Sequence, residues 1–184
     1  MFERLDRVPD DPILGLMAAF RADSDPQKVD LGVGVFRDAK GDTPVLDCVR
    51  QAEKAVLVRQ NSKTYVAPAG NAGFNQAMEK LVFGAGHAIF AAERVRSIQG
   101  PGGCGALRLG AELVHLAAQQ ATVHVSTPTW ANHVPLMTGT GLALGRYPYY
   151  EPARGSIDFD AMCQALEALP AGDVVLLHAS CHNP

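Results

Sequence analysis

The chain has 184 residues, of which 47% are hydrophobic and 19% are charged, and its formal net charge is −3. This ordinary globular composition excludes a disordered or membrane-embedded class, and the lack of a basic surplus argues against a nucleic-acid partner. We therefore expect one globular core, with no nucleic acid and no membrane among its partners.

The amino-terminal residues 1–7 carry charges where a signal peptide would need an apolar segment. No later apolar run approaches the roughly 18 residues of a membrane span. These two features predict a cytoplasmic protein. The four cysteines are widely scattered and form no C-x-x-C pair, so we expect reduced thiols and neither a zinc ribbon nor a disulfide framework.

The first third of the chain contains three predicted elements. Asp10-Asp11-Pro12 predicts the start of a helix, and Thr43-Pro44 predicts a second helix that continues to about Arg59. The alternating segment 29–36 predicts a strand, in which Gly32 and Gly34 leave one face without side chains. Such a bare face is typical of the close approach of a ligand or another backbone, and a weak edge strand is the alternative.

A loop over residues 61–70 and a capped helix follow. Tyr65 lies in this loop, where a tyrosine either packs as an amphipathic side chain or contacts a ligand. Asn71 predicts the N-cap of a helix that continues through Phe83, and Gly84 predicts its end.

From Val95 onward, strands and helices alternate regularly. We predict strands near 95–99, 122–126, 142–148 and 173–178, and helices near 103–118, after Trp130 and near 159–169. This βαβαβαβ order predicts an α/β fold with a parallel sheet and right-handed crossovers. The loops at the carboxyl ends of the strands should therefore meet at one crevice.

The glycine-rich turn 100–105 lies between a predicted strand and a predicted helix. It satisfies the G-x-G-x-x-G pattern, but a dinucleotide site also needs an acidic residue at the end of the next strand, and no Asp or Glu occurs between Ala118 and Asn132. A helix N-terminus with bare backbone N–H groups favours a phosphate. The turn therefore predicts a phosphate ligand without a ribose, or a tight turn without any ligand.

Two further loops should reach the same crevice, one over 127–133 and one over 178–184. Trp130 is either a platform for a flat ring or a surface-packing aromatic. His178 and His182 flank a strand end and have no third ligand at a usual spacing. We therefore expect no metal.

Seven segments resemble those of the aspartate/aromatic amino-acid aminotransferases, which are class I pyridoxal-phosphate enzymes. The segments are Asp11-Pro12-Ile13-Leu14-Gly15-Leu16, Leu31-Gly32-Val33-Gly34-Val35, Thr43-Pro44-Val45-Leu46 with Tyr65, Leu81-Val82-Phe83-Gly84, Pro101-Gly102-Gly103-Cys104-Gly105-Ala106-Leu107, Pro128-Thr129-Trp130-Ala131-Asn132-His133 and Cys181-His182-Asn183-Pro184. The resemblance implies a three-layer αβα pyridoxal-phosphate transferase large domain, truncated and mostly parallel, with an N-terminal arm. It implies an arm and small-domain segment over 1–44 and the N-terminal part of the large domain over 45–184.

The resemblance also implies a set of site residues and a homodimer. The phosphate of pyridoxal phosphate would accept the backbone N–H groups of Gly102, Gly103 and Cys104, and the pyridine ring would stack on Trp130. Asn183 would bind the phenolic oxygen of the ring and the substrate carboxylate, and Gly34 and Trp130 would line the substrate site. The two remaining residues are Tyr65, which would reach the phosphate of the neighbouring subunit, and His133, which would orient the acid at the ring nitrogen.

Two departures from the family pattern bear on function. Cys104 replaces the usual threonine or serine, and a thiol is a weaker hydrogen-bond donor than a hydroxyl. The sequence also stops at Pro184, within the Asn-Pro-Thr-Gly motif. In relatives the Schiff-base lysine, the ring-nitrogen acid and the carboxylate-binding arginine follow this point, so we expect no catalytic residue in these 184 residues.

The resulting expectation is an aminotransferase acting on aspartate or an aromatic amino acid with 2-oxoglutarate, represented by its N-terminal fragment. One alternative is a non-catalytic, truncated remnant of such an enzyme. A second alternative, a nucleotide-binding αβ module, is disfavoured by the missing ribose-binding acid.

Overall fold

The computed structural model describes residue 3 and the ranges 12–32, 34–179 and 181–184, without the side chains of 12–14. The chain divides into two compact units, Met1–Lys63 and Thr64–Pro184. The boundary predicted from the resemblance lies at 44/45, between an arm with a small-domain segment and the large domain. It is a different boundary from the division into these two units, and it stays a prediction.

The first unit contains helices α1 (Pro12–Ala22) and α2 (Asp47–Arg59). The predicted cap of α1 at Asp10-Asp11 lies outside the described residues. The predicted start of the second helix at Thr43-Pro44 is wrong, because α2 begins at Asp47. The Thr43 hydroxyl donates to the carbonyl of Phe36 at 3.0 Å, so it closes a preceding turn instead of capping the helix.

The strand predicted over 29–36 does not form among the residues described there. Asp30 instead accepts the backbone N–H of Gly32 at 3.0 Å and pairs with Arg37 at 2.7 Å. A strand is stable only when a neighbouring backbone satisfies its N–H and C=O groups. Here local side-chain hydrogen bonds replace that ladder.

The second unit begins with α3 (Ala72–Phe83), whose predicted caps are confirmed. The Asn71 side chain accepts a backbone N–H from the first turn at 3.0 Å, and Gly84 ends the helix with a φ of 84°. A short helix, α4 (Ala88–Ala91), was not predicted from the sequence.

The alternating part of the chain forms a parallel sheet of order β2-β1-β5. Its elements are α5 (Gly102–Ala117), β1 (Thr122–Thr127), α6 (His133–Thr138), β2 (Ala143–Pro148), the antiparallel pair β3 (Tyr150–Glu151) and β4 (Ser156–Ile157), α7 (Phe159–Glu167) and β5 (Val174–Val175). The predicted α/β fold with parallel strands is confirmed, and the β3–β4 pair is an addition to it. The last strand is shorter than predicted.

The strand predicted over 95–99 is wrong, since this segment joins no ladder in the part of the chain that the structure describes. Hydrogen bonds to the segment before α3 and to α3 itself hold it instead. The Gln99 N–H donates to the carbonyl of Ala69 at 2.9 Å, and the Asn75 amide donates to the carbonyl of Ser97 at 3.1 Å. The segment therefore leads into α5 as an extended connection that is not part of a sheet.

The core lies between the sheet and α5 with α6. Val123 on β1 is 2% exposed and packs with Ala111, Met137 and Leu142. Burial of one such valine contributes about 1.5–3 kcal/mol.

The crossovers from β1 to β2 and from β2 to β5 run in opposite directions along the sheet, so right-handed connections place α6 and α7 on opposite faces. Among the described residues, no helix is long and apolar enough to cross a membrane.

Candidate functional site

The N-terminus of α5 presents unpaired backbone donors. An α-helix leaves its first four N–H groups without a helical partner. Pro101 occupies the N-cap position and has no N–H, and no side chain caps the helix. The remaining donors are the backbone N–H groups of Gly102, Gly103 and Cys104. They lie at the positive end of the helix dipole, where an anion is stabilised.

Steric requirements explain the glycines of this turn. Gly102 has a φ of +68°, a region that residues with a Cβ rarely adopt. A Cβ on Gly100 would lie 2.9 Å from the Ala106 backbone nitrogen, and a Cβ on Gly105 would lie 2.6 Å from the Pro101 ring. A Cβ on Gly102 or on Gly103 would meet nothing within 4 Å. The turn is therefore open beside these two residues.

The loop that follows β1 carries an indole, and it brings an amide to this turn. Trp130 meets the ring of His133 edge to face, with 5.3 Å between the ring centroids. The side-chain amide of Asn132 lies 3.8 Å from the Cys104 sulfur. The buried hydroxyl of Ser126 donates to the Pro128 carbonyl at 2.8 Å and fixes the start of the loop.

A directional chain of hydrogen bonds joins the last described residues to His133. The Asn183 N–H donates to His178 Nδ1 at 2.9 Å, so a neutral His178 carries its proton on Nε2. This Nε2–H donates to the Thr129 hydroxyl at 3.3 Å, which donates in turn to His133 Nδ1 at 2.8 Å. Neutral His133 therefore carries its proton on Nε2.

Burial keeps these two imidazoles neutral. Desolvation lowers the pKa of His133 below its ordinary value of 6.5, and the neighbouring charge of His182 lowers it further. The pKa of His178 is lowered by the same two causes in the same order, with a smaller effect from His133. Near neutral pH both rings therefore keep the tautomers that the hydrogen-bond chain requires.

The structure brings His133, His178 and Asn183 to one cavity of about 290 Å³. Its lining residues are Leu107, His133, Leu176, Leu177, His178, Ala179, Cys181 and Asn183. Leu107 lies in the first turns of α5, two residues after Gly105, so the cavity adjoins the helix that carries the unpaired N–H groups. The convergence of the three loops, predicted from the strand order, is observed.

The structure describes two further predicted site residues, Gly34 and Tyr65. Gly34 belongs to the first unit, is exposed, and a Cβ there would meet nothing within 4 Å. Tyr65 belongs to the second unit, and its side chain is fully exposed. Their assignments to the substrate and to the neighbouring subunit stay predictions. Within the described ranges, no three His, Cys, Asp or Glu side chains form a group that could hold a metal ion.

Sequence reasoning missed Thr129 and Tyr149. Thr129 is the hydroxyl between His133 and His178, and Tyr149 stacks on His182 with ring centroids 4.0 Å apart. The spacing of Thr129 and His133 by four residues was the available signal. The partner histidine lies 49 residues from Thr129, so no local pattern could reveal it.

Comparisons with known proteins identify the family. The family model for aminotransferase class I and II matches residues 26–184. The chain belongs to the class I and II aminotransferases. This family depends on pyridoxal phosphate.

Three members of the family illustrate the similarity. The chain is 42% identical to the aspartate aminotransferase of Escherichia coli strain K12 over 184 residues, and 43% identical to the aromatic-amino-acid aminotransferase of Pseudomonas aeruginosa over 183 residues. It also resembles the crystal structure of the aromatic-amino-acid aminotransferase of Burkholderia pseudomallei, which is covalently bound to pyridoxal phosphate, with a TM-score of 0.93 and 40% identity.

Each of these matches covers 100% of the chain and 46% of the related protein. The chain thus spans about half the length of the aminotransferases that it matches. The expected fold, a truncated pyridoxal-phosphate transferase domain with a mostly parallel sheet, is confirmed.

Proposed function

We propose that the chain forms the phosphate-binding end of an aminotransferase that uses pyridoxal phosphate. The enzyme would transfer the amino group of aspartate or an aromatic amino acid to 2-oxoglutarate. The observation that carries the proposal is the set of three unpaired N–H groups at the N-terminus of α5. These are the donors that the family pattern assigns to the cofactor phosphate.

The phosphate would bind to the backbone of Gly102, Gly103 and Cys104. A phosphate dianion needs several donors and a positive potential, and the helix end offers both. The open side of the turn at Gly102 and Gly103 fits the close approach of such a group. Cys104 adds a thiol, which donates more weakly than the usual hydroxyl.

The ring would lie between Trp130 and the hydrogen-bonding groups at the end of β5. Bound pyridoxal phosphate supplies an electron sink for the negative charge that develops at the substrate. Asn183 would donate its side-chain amide to the phenolic oxygen of the ring. The Nε2–H of His133, oriented by the chain through Thr129 and His178, would hold the acid that pairs with the ring nitrogen.

The remaining proposals concern the substrate site, the neighbouring subunit, the cellular location and the domain boundary. Gly34, Trp130 and Asn183 would line the substrate site, and Tyr65 would reach the phosphate of the neighbouring subunit in a homodimer. The fully exposed phenol of Tyr65 fits such a role. We place the enzyme in the cytoplasm and its domain boundary at 44/45.

The Schiff-base lysine would lie outside these 184 residues. The five lysines are Lys28, Lys40, Lys54, Lys63 and Lys80. None follows the glycine turn, and none lines the cavity beside His133.

The test uses the polypeptide translated from the complete reading frame that contains these 184 residues. Equilibrium dialysis measures pyridoxal-phosphate binding, and glutamate formation from 2-oxoglutarate measures turnover with aspartate and with phenylalanine. We expect both activities. Trp130→Ala should weaken binding by on the order of 1 kcal/mol through lost stacking, and Trp130→Phe should retain part of the affinity. Unchanged binding in Trp130→Ala would contradict the ring assignment.

Subunit sharing has its own test. A heterodimer of one Tyr65→Phe subunit and one Asn183→Ala subunit retains one site free of both changes if Tyr65 acts across the boundary. We expect the mixed dimer to recover activity that neither parent variant has. A verified heterodimer with no recovery would refute the shared site.

A non-catalytic remnant of such an enzyme is the second candidate. For the 184-residue chain by itself we expect no transamination. Borohydride reduction with pyridoxal phosphate, followed by peptide mapping, should label no single lysine. Turnover above that of free cofactor, with a label fixed on one lysine, would overturn the assignment of that lysine to a later part of the enzyme.

A further inference from the structure

His182 makes three contacts with three different parts of the site. Its ring stacks on Tyr149 with centroids 4.0 Å apart and an interplanar angle of 13°. It also stacks on His178, with centroids 4.2 Å apart and an interplanar angle of 9°. Its Nε2–H donates to the carbonyl of Pro128 at 3.1 Å. One imidazole therefore joins the chain segments that follow β1, β2 and β5.

These contacts distinguish His182 from its neighbours. Cys181, Asn183 and Pro184 are exposed, whereas His182 is half-buried. The backbone N–H of Asn183 is also fixed, because it donates to His178 Nδ1. His178 in turn is held by the ring stack with His182. The position of Asn183 thus depends on a ring that lies one residue before it.

The side-chain amide of Asn183, unlike its backbone N–H, is not held by a hydrogen bond within the described part of the chain. It is exposed, and in the described part of the chain no protein group bonds to it. An amide with an anchored backbone and a free side chain is arranged to meet an external group with little loss of conformational freedom. Such preorganisation raises affinity because the ordering cost is met before the ligand binds.

We propose that His182 is a positioning residue, which holds Asn183 through the Tyr149–His182–His178 stack and the hydrogen bond to Pro128 so that the Asn183 amide faces the cofactor ring. The inference rests on the proposed function in one respect, the identity of the group that Asn183 meets. His182 itself touches neither cofactor nor substrate in this scheme. A ring stack and a hydrogen bond each correspond to about a 2- to 10-fold change in an equilibrium constant.

The first experiment measures the anchoring without any cofactor. Amide hydrogen exchange is followed at Asn183 in the polypeptide of the complete reading frame. We expect His182→Ala to accelerate this exchange by roughly 10-fold, because the ring that supports His178 is lost. His182→Phe retains the stack and should restore most of the protection. Unchanged exchange in His182→Ala would overturn the inference.

A matched pair of tyrosines controls for general loosening. Tyr149→Ala removes one partner of the stack, whereas Tyr150→Ala changes the adjacent, exposed tyrosine. Only Tyr149→Ala should accelerate exchange at Asn183. Equal acceleration by both variants would mean that the segment is sensitive to any nearby truncation, which would refute a specific role of the stack.

The second experiment is a double-mutant cycle on pyridoxal-phosphate affinity and on the absorption spectrum of the bound cofactor. If His182 acts through Asn183, His182→Ala should weaken binding about 5-fold in the wild type and have no further effect in Asn183→Ala. Its spectral shift should resemble that of Asn183→Ala. Additive losses would overturn positioning through Asn183.

The two experiments separate the inference from the proposed function. Absence of pyridoxal-phosphate binding in the unmodified polypeptide would overturn the proposed function and the ligand assigned to Asn183. The exchange rates would still decide whether His182 holds the segment.

Discussion

At the amino end of β1, His124 Nε2 lies 2.8 Å from the carboxylate of Asp173, whereas at the carboxyl end the polar and ring partners of His133 and His178 among the described residues are a hydroxyl, a backbone amide and other rings. Asp173 also accepts the backbone N–H of Thr122 at 3.1 Å. The same residue type thus has a carboxylate partner at one end of the sheet and neutral partners at the other.

The difference separates a stabilising contact from an orienting one. The carboxylate ties the segment before β5 to β1, and the hydrogen bond from His124 is the main cause that lowers the pKa of Asp173, followed by the N–H of Thr122. At the carboxyl end no carboxylate of the described part of the chain pairs with the imidazoles. Burial there lowers the pKa of His133 and His178, and their hydrogen bonds fix the direction of the ring N–H groups. Changes at the carboxyl end should therefore alter ligand binding, and changes at the amino end should alter stability.

The largest effect is expected from restoring a hydroxyl at the carboxyl end. Cys104→Thr should tighten pyridoxal-phosphate binding by about 1.5–3 kcal/mol, because a neutral hydroxyl would donate to a charged phosphate. Equilibrium dialysis on the complete polypeptide measures the change. Cys104→Ala is the control, since it removes the thiol and adds no donor. Equal affinity of the threonine and alanine variants would show that no side-chain donor acts at this position.

The next effect concerns the close approach of Gly105 to Pro101. Gly105→Ala should distort the turn and destabilise the protein by about 1–3 kcal/mol, because its Cβ would lie 2.6 Å from the proline ring. Gly110→Ala on the same helix is the matched control, since its Cβ would meet nothing within 4 Å. That control should gain roughly 0.5–1 kcal/mol from helix propensity. Urea unfolding distinguishes the two, and equal effects would contradict the geometry of the turn.

A smaller effect is expected at the amino end. Asp173→Asn should lower the melting temperature, because the carboxylate that accepts from His124 and Thr122 is lost. Gly145→Ala should act in the same direction, since its Cβ would lie 2.3 Å from the His124 ring and displace it. Neither change should alter pyridoxal-phosphate affinity, which dialysis checks. A large loss of pyridoxal-phosphate affinity in either variant would contradict the assignment of stability to the amino end of β1 and of ligand binding to its carboxyl end.

The smallest effects are two separate pH dependences. The pKa values of His133 and His178 are lowered in the folded protein, so as the pH falls these residues bind protons in the unfolded chain before they do so in the folded one. The free energy of unfolding should therefore decrease as the pH falls below about 6.5, and it should level off below the lowered pKa values. For Asp173, whose pKa is lowered from 3.8, stability is present above that value and is lost as the pH falls through the lowered pKa. Unfolding free energies across pH 8 to 3 should show both windows, and Asp173→Asn should remove only the acidic one.

Several features could be predicted from the sequence because they depend on neighbours along the chain. Asn71 and Gly84 delimit α3 through contacts within its first and last turns. The glycine turn and Pro101 likewise define the unpaired donors of α5 locally. The order of strands and helices predicted the parallel sheet, since a crossover of this length permits few other arrangements.

The incorrect predictions share one physical cause. The segments 29–36 and 95–99 have strand-like patterns, but a strand exists only where another backbone completes its ladder. Thr43-Pro44 resembles a helix start, but the Thr43 hydroxyl bonds to Phe36 seven residues earlier. At 29–36 hydrogen bonds of the Asp30 side chain replaced the ladder, whereas at 95–99 and at Thr43 a contact with a residue outside the local pattern determined the conformation.

By itself the sequence determined the ends of α3, the glycine turn before α5 and the family, because these follow from short motifs and local backbone geometry. Only the tertiary structure decided how the histidines are used. Thr129 meets His178, and His124 meets Asp173, each across 49 residues of sequence. Parallel pairing of β1 with β5 brings these partners together, and the partner that each imidazole meets there, carboxylate or hydroxyl, determines whether it stabilises the sheet or orients the site.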